Sequence, residues 1–350
     1  MRRAALLVGI IAVVTLAARL LTVAQGGGTI IAPGITDWNI TRFAGNPVID
    51  VSDNPAETNE QYVPCPILLP SGDIWVYVKG FGVIYGWKSV DDGETFTLEN
   101  AGDPVIEPTA AAWDAEFATE PCVVYDEPSD TIHLFYKGTD VSTEDADWAW
   151  GHATADGSDP TTFTKDAGNP ILTSATVSTA LGGGTVEDLA ISDVVMNGST
   201  YHFFGYAYYN SRYQLIHATG TDWDNPSGVE SLLLADTDSH VVNVPMVFQA
   251  PGESQYRMFY SWGEIGSSGE RELRAATSDD MDTWDFTDTT AIMSPTSGWE
   301  SLRSHAAHIL RETAAPYLAP IIDGSGRWKM YYSGQTGFEA NSGLAYLEPN

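Results

Sequence analysis

TIHLFYKG, residues 131–138, decides the fold, because its pattern returns four more times: DIWVYVKG at 73–80, TYHFFGYA at 200–207, QYRMFYSWG at 255–263 and RWKMYYSG at 327–334. Each copy alternates bulky apolar with polar residues over the length of a strand and ends at or near a small residue, the pattern of a half-buried β-strand. A turn precedes each copy, in order PSGD, EPSD, NGS, PGES and DGSG. These residues close hairpins because they tolerate left-handed backbone or bond back to it. Five copies predict five units. No stretch after residue 30 keeps a helical period, so the chain reads as all-β.

Working outward, a third strand follows four of the copies, in YGWKSVDDGETF (85–96), WGHATADGSDPTTF (150–163), IHATGTDWDNP (216–226) and LRAATSDDMDTW (273–284). A fourth begins with a similar dipeptide in DPVI at Asp103 and NPIL at Asn169. The fifth unit stops at SGLAYLEPN without its fourth strand, whereas DWNITRFAGNPVID (37–50) looks like a fourth strand without the other three. Joining the two ends predicts a five-bladed β-propeller closed by an N-terminal strand, over residues 37–350. Such closure removes an open sheet edge. The alternative, a two-sheet sandwich with coincidental repeats, leaves the N-terminal remnant unexplained.

Composition limits the function. The chain has 16 Lys plus Arg against 47 Asp plus Glu, a net charge of −31, with only five Lys. Nonspecific nucleic-acid binding needs a basic stripe and is excluded as an expectation. Acidity combined with 43% hydrophobic residues describes a folded protein with a hydrated carboxylate surface, read here as adaptation to high salt, with an ordinary acidic secreted protein as the alternative. MRRAALLVGIIAVVTLAARLLTVAQGGG opens the chain. Residues 1–25 read as a secretion signal or a single membrane anchor, and 26–36 as a linker. The expected location is secreted or cell-surface, with membrane contact only through an uncleaved N-terminal segment, and the expected state is monomeric. Cys65 and Cys122 occupy nearly equivalent first-strand positions and are either a disulfide or two buried thiols.

The blade pattern over residues 37–350 resembles the five-bladed propellers of the glycosidase group that includes families 43, 32, 62, 117 and 130. SVDDGETF at 89–96 also matches the Asp box of sialidases, a structural turn between outer strands. The resemblance implies a carbohydrate substrate and a site where the first strands meet. Those strands read ETNEQYVPCPILL (57–69), WDAEFATEPCVVYD (113–126), TVEDLAISDVVM (185–196), SHVVNVPMVF (239–248) and WESLRSHAAHIL (299–310). Blades two and five align on Trp-acid, placing His305 opposite Thr119 and His308 opposite Cys122.

Glycoside hydrolysis needs a carboxylic acid for the leaving oxygen and a carboxylate to activate water or attack. Family 43 enzymes place an Asp base, an Asp modulator and a Glu acid on the first three blades. By that resemblance Glu120, in Glu120-Pro121-Cys122-Val123-Val124, stands for the modulator with Glu in place of Asp, and Glu187 stands for the acid. Glu60 is the nearest candidate on blade one, which lacks the Asp-Pro of the family. These three are the candidate catalytic residues. Trp113, Asp114, Asp188, Asn243, Arg303 and His305 are the candidate substrate-binding residues. No spacing supports a zinc site and no cofactor is expected, although the resemblance allows a structural Ca²⁺ at His305. A noncatalytic propeller binding glycan or protein is the alternative function. Phosphorolysis, which needs a phosphate site near Arg303 and His305, is disfavoured by the acidic field.

Overall fold

A computed structural model of the chain describes residues 38–57, 59–142, 147–232, 240–264, 270–337 and 339–349. The expected signal or anchor and the linker lie outside the described residues. The strands in chain order are β1 (Trp38–Arg42), β2 (Tyr62–Leu68), β3 (Ile74–Lys79), β4 (Ile84–Ser89), β5 (Thr97–Leu98), β6 (Phe117–Asp126), β7 (Thr131–Thr139), β8 (Ala149–Asp156), β9 (Thr164–Lys165) and β10 (Leu172–Thr173). After one short helix, α1 (Ser174–Ala180), come β11 (Val186–Asn197), β12 (Thr200–Tyr209), β13 (Arg212–Gly220), β14 (Ser227–Leu232), β15 (His240–Phe248), β16 (Tyr256–Glu264), β17 (Arg271–Ser278), β18 (Trp284–Asp285), β19 (Arg303–Ile309), β20 (Trp328–Thr336) and β21 (Glu339–Pro349). Among the described residues the protein is all-β but for α1 and a few single turns of 3-10 helix.

Successive strands pair as antiparallel meanders: β2 to β5, β6 to β10, β11 to β14, and an eight-stranded sheet holding β15 to β21 with β1. Inside that largest sheet, among the described residues, β15 to β18 are joined by strand pairing to β19 to β21 with β1 through the parallel pair Arg271 and Arg303 alone. β1 runs antiparallel to β21, from Trp38 opposite Pro349 to Arg42 opposite Ala345. The N-terminal remnant therefore pairs with the C-terminal strand, as the repeat predicted. Its detail is also repeated. β1 pairs β21 and then Ile49 bridges Ser342. Likewise β9 and β10 both pair β8, and β5 and Ile106 both pair β4. The interruption is the turn AGNP (44–47), AGNP (167–170) or AGDP (101–104). The Asn side chain fastens it: Asn46 accepts from Leu344 N at 2.7 Å and donates to Leu344 O at 2.8 Å, and Asn169 does the same with His152 N and O, both at 2.8 Å.

Apolar side chains fill the spaces between these groups of strands. One cluster joins Trp75 and Tyr77 with Val123 and Leu134, a second Phe135 and Trp150 with Leu189 and Phe203, a third Phe204 and Leu215 with Val242 and Tyr260. A fourth joins Phe248 and Phe259 with Ile309 and Met330, and a fifth joins Tyr331 and Leu344 with Val76 and Trp87. The alternation seen in sequence thus buries both faces of each sheet. Each large side chain removed from water in this way contributes roughly 2 to 3 kcal/mol.

The described part of the Asp box is a closed turn. Ser89 Oγ accepts from Gly93 N at 2.8 Å, and Asp91 accepts from Thr95 N at 3.0 Å and Thr95 Oγ1 at 2.5 Å. Gly93 has φ of +86°, and a Cβ there would collide with the Tyr331 hydroxyl, so glycine is required. A second turn of this kind, Ser278 to Trp284, uses Ser278 and Asp280 in the same roles.

Candidate functional site

Four first strands carry a bulge at the same place. Val63, Glu120, Val244 and Ala306 have φ between 48° and 55°, each within a register shift against the second strand. Left-handed backbone is costly for a β-branched residue, so the surrounding sheet must impose it. Bulges bend a strand and re-aim its side chains. Polar residues at one repeated position of the second strands, Lys79, Lys137, Tyr206, Ser261 and Ser333, engage these bulges. Ser333 Oγ accepts from Val63 N at 2.8 Å and Ser261 Oγ from Ala306 N at 3.0 Å. Lys79, Lys137 and Tyr206 meet at Glu120 instead.

Glu120 is the best-anchored carboxylate of the site. Tyr206 donates its hydroxyl to Oε2 at 2.8 Å, and the ammonium groups of Lys79 and Lys137 lie 3.4 Å and 3.6 Å from Oε1. Burial alone would raise this carboxyl, but Lys137, Lys79 and Tyr206 outweigh it and hold the group at about 2. Lys137 also lies 2.5 Å from Asp188. Burial works against its charge, yet Asp188 and Glu120 raise the ammonium above its ordinary range. Lys79 is raised as well: burial opposes its charge, while Tyr62, Glu120 and Glu60 favour it. Glu60 stands at 3.8 Å from Lys79. Glu120 and the two lysines are held in their charged forms, so Glu120 can stabilise positive charge beside it but cannot serve as a proton donor near neutral pH.

Glu60, Lys79, Thr119, Glu120 and Lys137 border one cavity of about 220 Å³, with Phe81, Phe117 and Trp148 at its edge. Phe81 is 71% exposed and packs edge-on against Phe117, and Lys137 lies over the Trp148 ring at 4.1 Å. Exposed rings beside charged groups suit sugar faces, whose C–H surfaces stack on aromatics while hydroxyls bond to polar groups. A larger recess of about 580 Å³ opens beside Trp262, Arg271 and Arg274. The cluster of ionised groups borders the smaller one.

The structure brings together Glu60, Glu120 and Asp188 through Lys79 and Lys137. Glu187 sits within a bulge between Val186 and Asp188 and makes no ion pair or hydrogen bond among the described residues. Trp113 and Asp114 take a different place. Trp113 stacks on Tyr136 at 5.6 Å and lies against Gly138 and Gly151. Asp114, 1% exposed, accepts from Tyr136 at 3.0 Å and pairs with Lys165 at 2.5 Å. Trp299 and Glu300 repeat this arrangement with Tyr332, Gly334, Gly343 and Arg42. The Trp-acid repeat thus ties the first strand to the fourth, through Lys165 of β9 and Arg42 of β1. Trp113 still borders a further recess of about 310 Å³ that it shares with Trp148.

Asn243 and His305 occupy the position just before the bulge, as Thr119 and Tyr62 do. Both are buried, and Asn243 Oδ1 and both ring nitrogens of His305 have no hydrogen-bond partner among the described residues. Burial and then Arg271, Arg303 and Lys79 push the His305 imidazole well below its ordinary value. Burial and Arg271 also lower Arg303, to about 10. Ca²⁺ requires six to eight oxygen ligands rich in carboxylate, and three cations surround His305. A Ca²⁺ ion does not fit this setting. Elsewhere His202, His217 and Asp282 bring ligand atoms within 4.8 Å of one another, a grouping that sequence spacing did not reveal. Its imidazoles are already engaged, His202 Nδ1 with His217 Nε2 at 2.9 Å and His217 Nδ1 with Glu230 at 2.9 Å. The cysteines are two buried thiols, with Cys65 Sγ accepting from Val123 N at 3.0 Å.

Lys79, Lys137 and Tyr206 were not singled out from sequence. The signal was present, since they fall at one register position of the aromatic repeat, but only the fold shows that this position faces Glu120.

No protein-family model matches the chain, and no curated protein matches it. Solved structures do. The catalytic domain of the family 62 α-L-arabinofuranosidase of Coprinopsis cinerea is similar with a TM-score of 0.64 at 15% identity, covering 90% of this chain and 98% of that one. An endo-arabinase from Bacteroides thetaiotaomicron gives 0.60 at 12% identity, covering 87% and 98%. A thermostable family 43 glycoside hydrolase gives 0.58 at 13% identity, covering 84% and 90%. The chain therefore carries the all-β fold of the propeller glycosidases, the group that its repeat resembles.

Proposed function

We propose that the protein is a secreted, salt-adapted glycoside hydrolase that cleaves a polysaccharide or oligosaccharide in the cavity around Glu120. In this reading the five groups of strands are the blades of a propeller, and β1 closes the ring as the outer strand of the last blade. The apolar cluster joining Tyr331 and Leu344 with Val76 and Trp87 supports closure. The observation that carries the function is Glu120, half-buried at a bulge and held anionic by two lysines and a tyrosine, with the exposed Phe81 ring at the edge of the same cavity.

Glu120 acts in the modulator role, as a fixed negative charge that favours the oxocarbenium-like transition state and raises the proton affinity of neighbouring carboxyls. Asp188, tied to Lys137, orients that lysine. Glu187, bound by no cation among the described residues, protonates the leaving oxygen. Glu60, whose contact with Lys79 is long, activates water. One observation favours a second reading, a noncatalytic glycan-binding propeller: lysines neutralise both Glu120 and Asp188.

Hydrolysis of the best oligosaccharide substrate by the full chain, followed from pH 4 to 9 in molar salt, tests these roles. Glu187→Gln is expected to lower kcat about 10²- to 10⁴-fold and remove the alkaline limb of the profile, and Glu60→Gln to remove the acid limb. Wild-type rates in both folded variants contradict the assignment.

A further inference from the structure

Across the β12–β13 pair His202 lies opposite Thr219 and His217 opposite Phe204, so the two imidazoles are diagonal neighbours on one face of that sheet. Glu230 of β14 stands opposite His217 on the same face. A carboxylate only accepts, so His217 donates from Nδ1 to Glu230 Oε1 at 2.9 Å and turns its Nε2 lone pair toward His202 Nδ1, also at 2.9 Å. The acid thus fixes the tautomer and the aim of the ring, as carboxylates do for metal-binding imidazoles.

A third group comes from the next strands. The turn from Ser278 to Trp284, between β17 and β18, sets the Trp284 ring edge-on against Phe204 at 5.9 Å, and Phe204 lies along His217 at 4.7 Å. Ser278 Oγ holds that turn by accepting from Met281 N at 2.9 Å, and Asp280 by accepting from Asp282 N at 3.0 Å and Thr283 N at 2.8 Å. The side chain of Asp282 takes no part in this. It is 59% exposed, makes no hydrogen bond among the described residues and stands 3.8 Å from His217 Nδ1. Ligand atoms of His202, His217 and Asp282 lie within 4.8 Å of one another, and no other group of three does so among the described residues. His133 and His152 form the same couple one group of strands earlier, 3.0 Å apart, but there the Trp223 ring stacks on His133 at 4.0 Å and no third ligand comes within that range of both rings.

We propose that His202, His217 and Asp282 form a site for a first-row divalent ion, Zn²⁺ foremost, which joins β12 and β13 to the turn between β17 and β18. Two imidazole nitrogens and one carboxylate oxygen suit Zn²⁺, whereas Ca²⁺ and Mg²⁺ take oxygen ligands. The ion takes the place of the hydrogen between the rings. His202 stays neutral by moving that hydrogen from Nδ1 to Nε2, His217 keeps its own on Nδ1 against Glu230, and water fills the fourth position. Bonds of about 2.0 to 2.1 Å put two tetrahedral nitrogen ligands about 3.4 Å apart, so the rings part by about 0.5 Å and Asp282 swings in. The exposed Asp282 gives an ion its way to two buried rings. Tyr206, which reaches Glu120, is four residues further along β12, roughly 13 Å away. The ion therefore fastens neighbouring strands and takes no part in the chemistry at Glu120, and the site stands independently of the glycosidase reading.

Calorimetric titration of the full chain with Zn²⁺, Co²⁺ and Mg²⁺ tests this, in molar NaCl with excess Ca²⁺ to occupy surface carboxylates. The expected result is one Zn²⁺ per chain with a Kd of roughly 1 μM or below, a visible Co²⁺ band of a four-coordinate site, and a urea midpoint raised by Zn²⁺. His217→Gln and Asp282→Asn are each expected to weaken Zn²⁺ binding about 100-fold and to abolish the rise in midpoint, and Glu230→Gln to weaken it about 10-fold. Asp282→Asn keeps the test open if the buried substitution unfolds the chain, because the Asp282 side chain holds nothing in its turn. His152→Gln should bind Zn²⁺ as the wild type does. Wild-type affinity in folded Asp282→Asn overturns the site, as does loss of binding in folded His152→Gln, equal affinity for Mg²⁺, or a wild-type chain that binds no Zn²⁺.

Discussion

Replacing Lys137 by Met removes the charge shared by Asp188 and Glu120 while keeping much of the side-chain volume. At separations of 2.5 Å and 3.6 Å, Coulomb's law with an effective dielectric of about 20 gives attractions of roughly 7 and 5 kcal/mol. Most of this only offsets the desolvation of the groups, so the net loss follows the cost of stripping one partner from a buried pair, about 3 kcal/mol, the low end because Lys79 still serves Glu120. The same change lifts the Glu120 carboxyl above its value of about 2, because Lys137 is the cation that lowers it most. Urea unfolding at pH 7 in molar salt, for wild type, Lys137→Met, Glu120→Gln and the double variant, measures both the loss and the coupling. The double variant should recover about 1 to 2 kcal/mol relative to additivity. A single variant that loses less than about 0.5 kcal/mol, with no coupling to Glu120, refutes the electrostatic account of the site.

Asn46→Ala leaves Leu344 N and O without their bonds to the turn after β1 and should lower stability by about 2 kcal/mol; an unchanged urea midpoint argues that this turn does not fasten β1. The buried imidazoles give a pH dependence. Burial and the neighbouring His152 lower His133 to about 3, so the unfolded chain takes up a proton below pH 6.5 and the folded chain does not. The contribution of His133 is whole above pH 6.5 and is lost as pH falls toward 3, at about 1.4 kcal/mol per unit, or roughly 2 kcal/mol between pH 6.5 and 5. His133→Gln should flatten that slope, and an identical slope in calorimetric scans counts against it. With a net charge of −31, stability should rise between 0.1 M and 2 M NaCl as self-repulsion is screened. A midpoint that stays level or falls removes the case for salt adaptation.

The fold was legible because it repeats. TFTKDAGNPIL and NITRFAGNPVI are the same split strand, one inside the chain and one at its start, and the second could be read as the fourth strand that the last unit lacks. The site was legible only in part. Glu120 stood out through its Pro and its place on the second unit, but period-two reading does not detect a bulge, and the one between Val186 and Asp188 changes which of two adjacent acids meets Lys137. The Trp-acid repeat was visible, whereas its purpose depends on Lys165 and Arg42, 51 residues after Asp114 and at the far end of the chain from Glu300. Histidines 133 and 152 recur as 202 and 217 in T-x-H and H-A-T, yet only strand pairing shows that each couple shares a hydrogen bond.

Release of reducing sugar from arabinan, xylan, pectin and sulfated galactan, by the full wild-type chain in molar salt, tests the central claim most directly. The account predicts turnover of at least one of these, abolished when Glu187→Gln is introduced into a chain that remains folded. A folded wild-type chain that binds glycan and releases none contradicts it, and makes the centre a binding pocket whose carboxylates its lysines have neutralised.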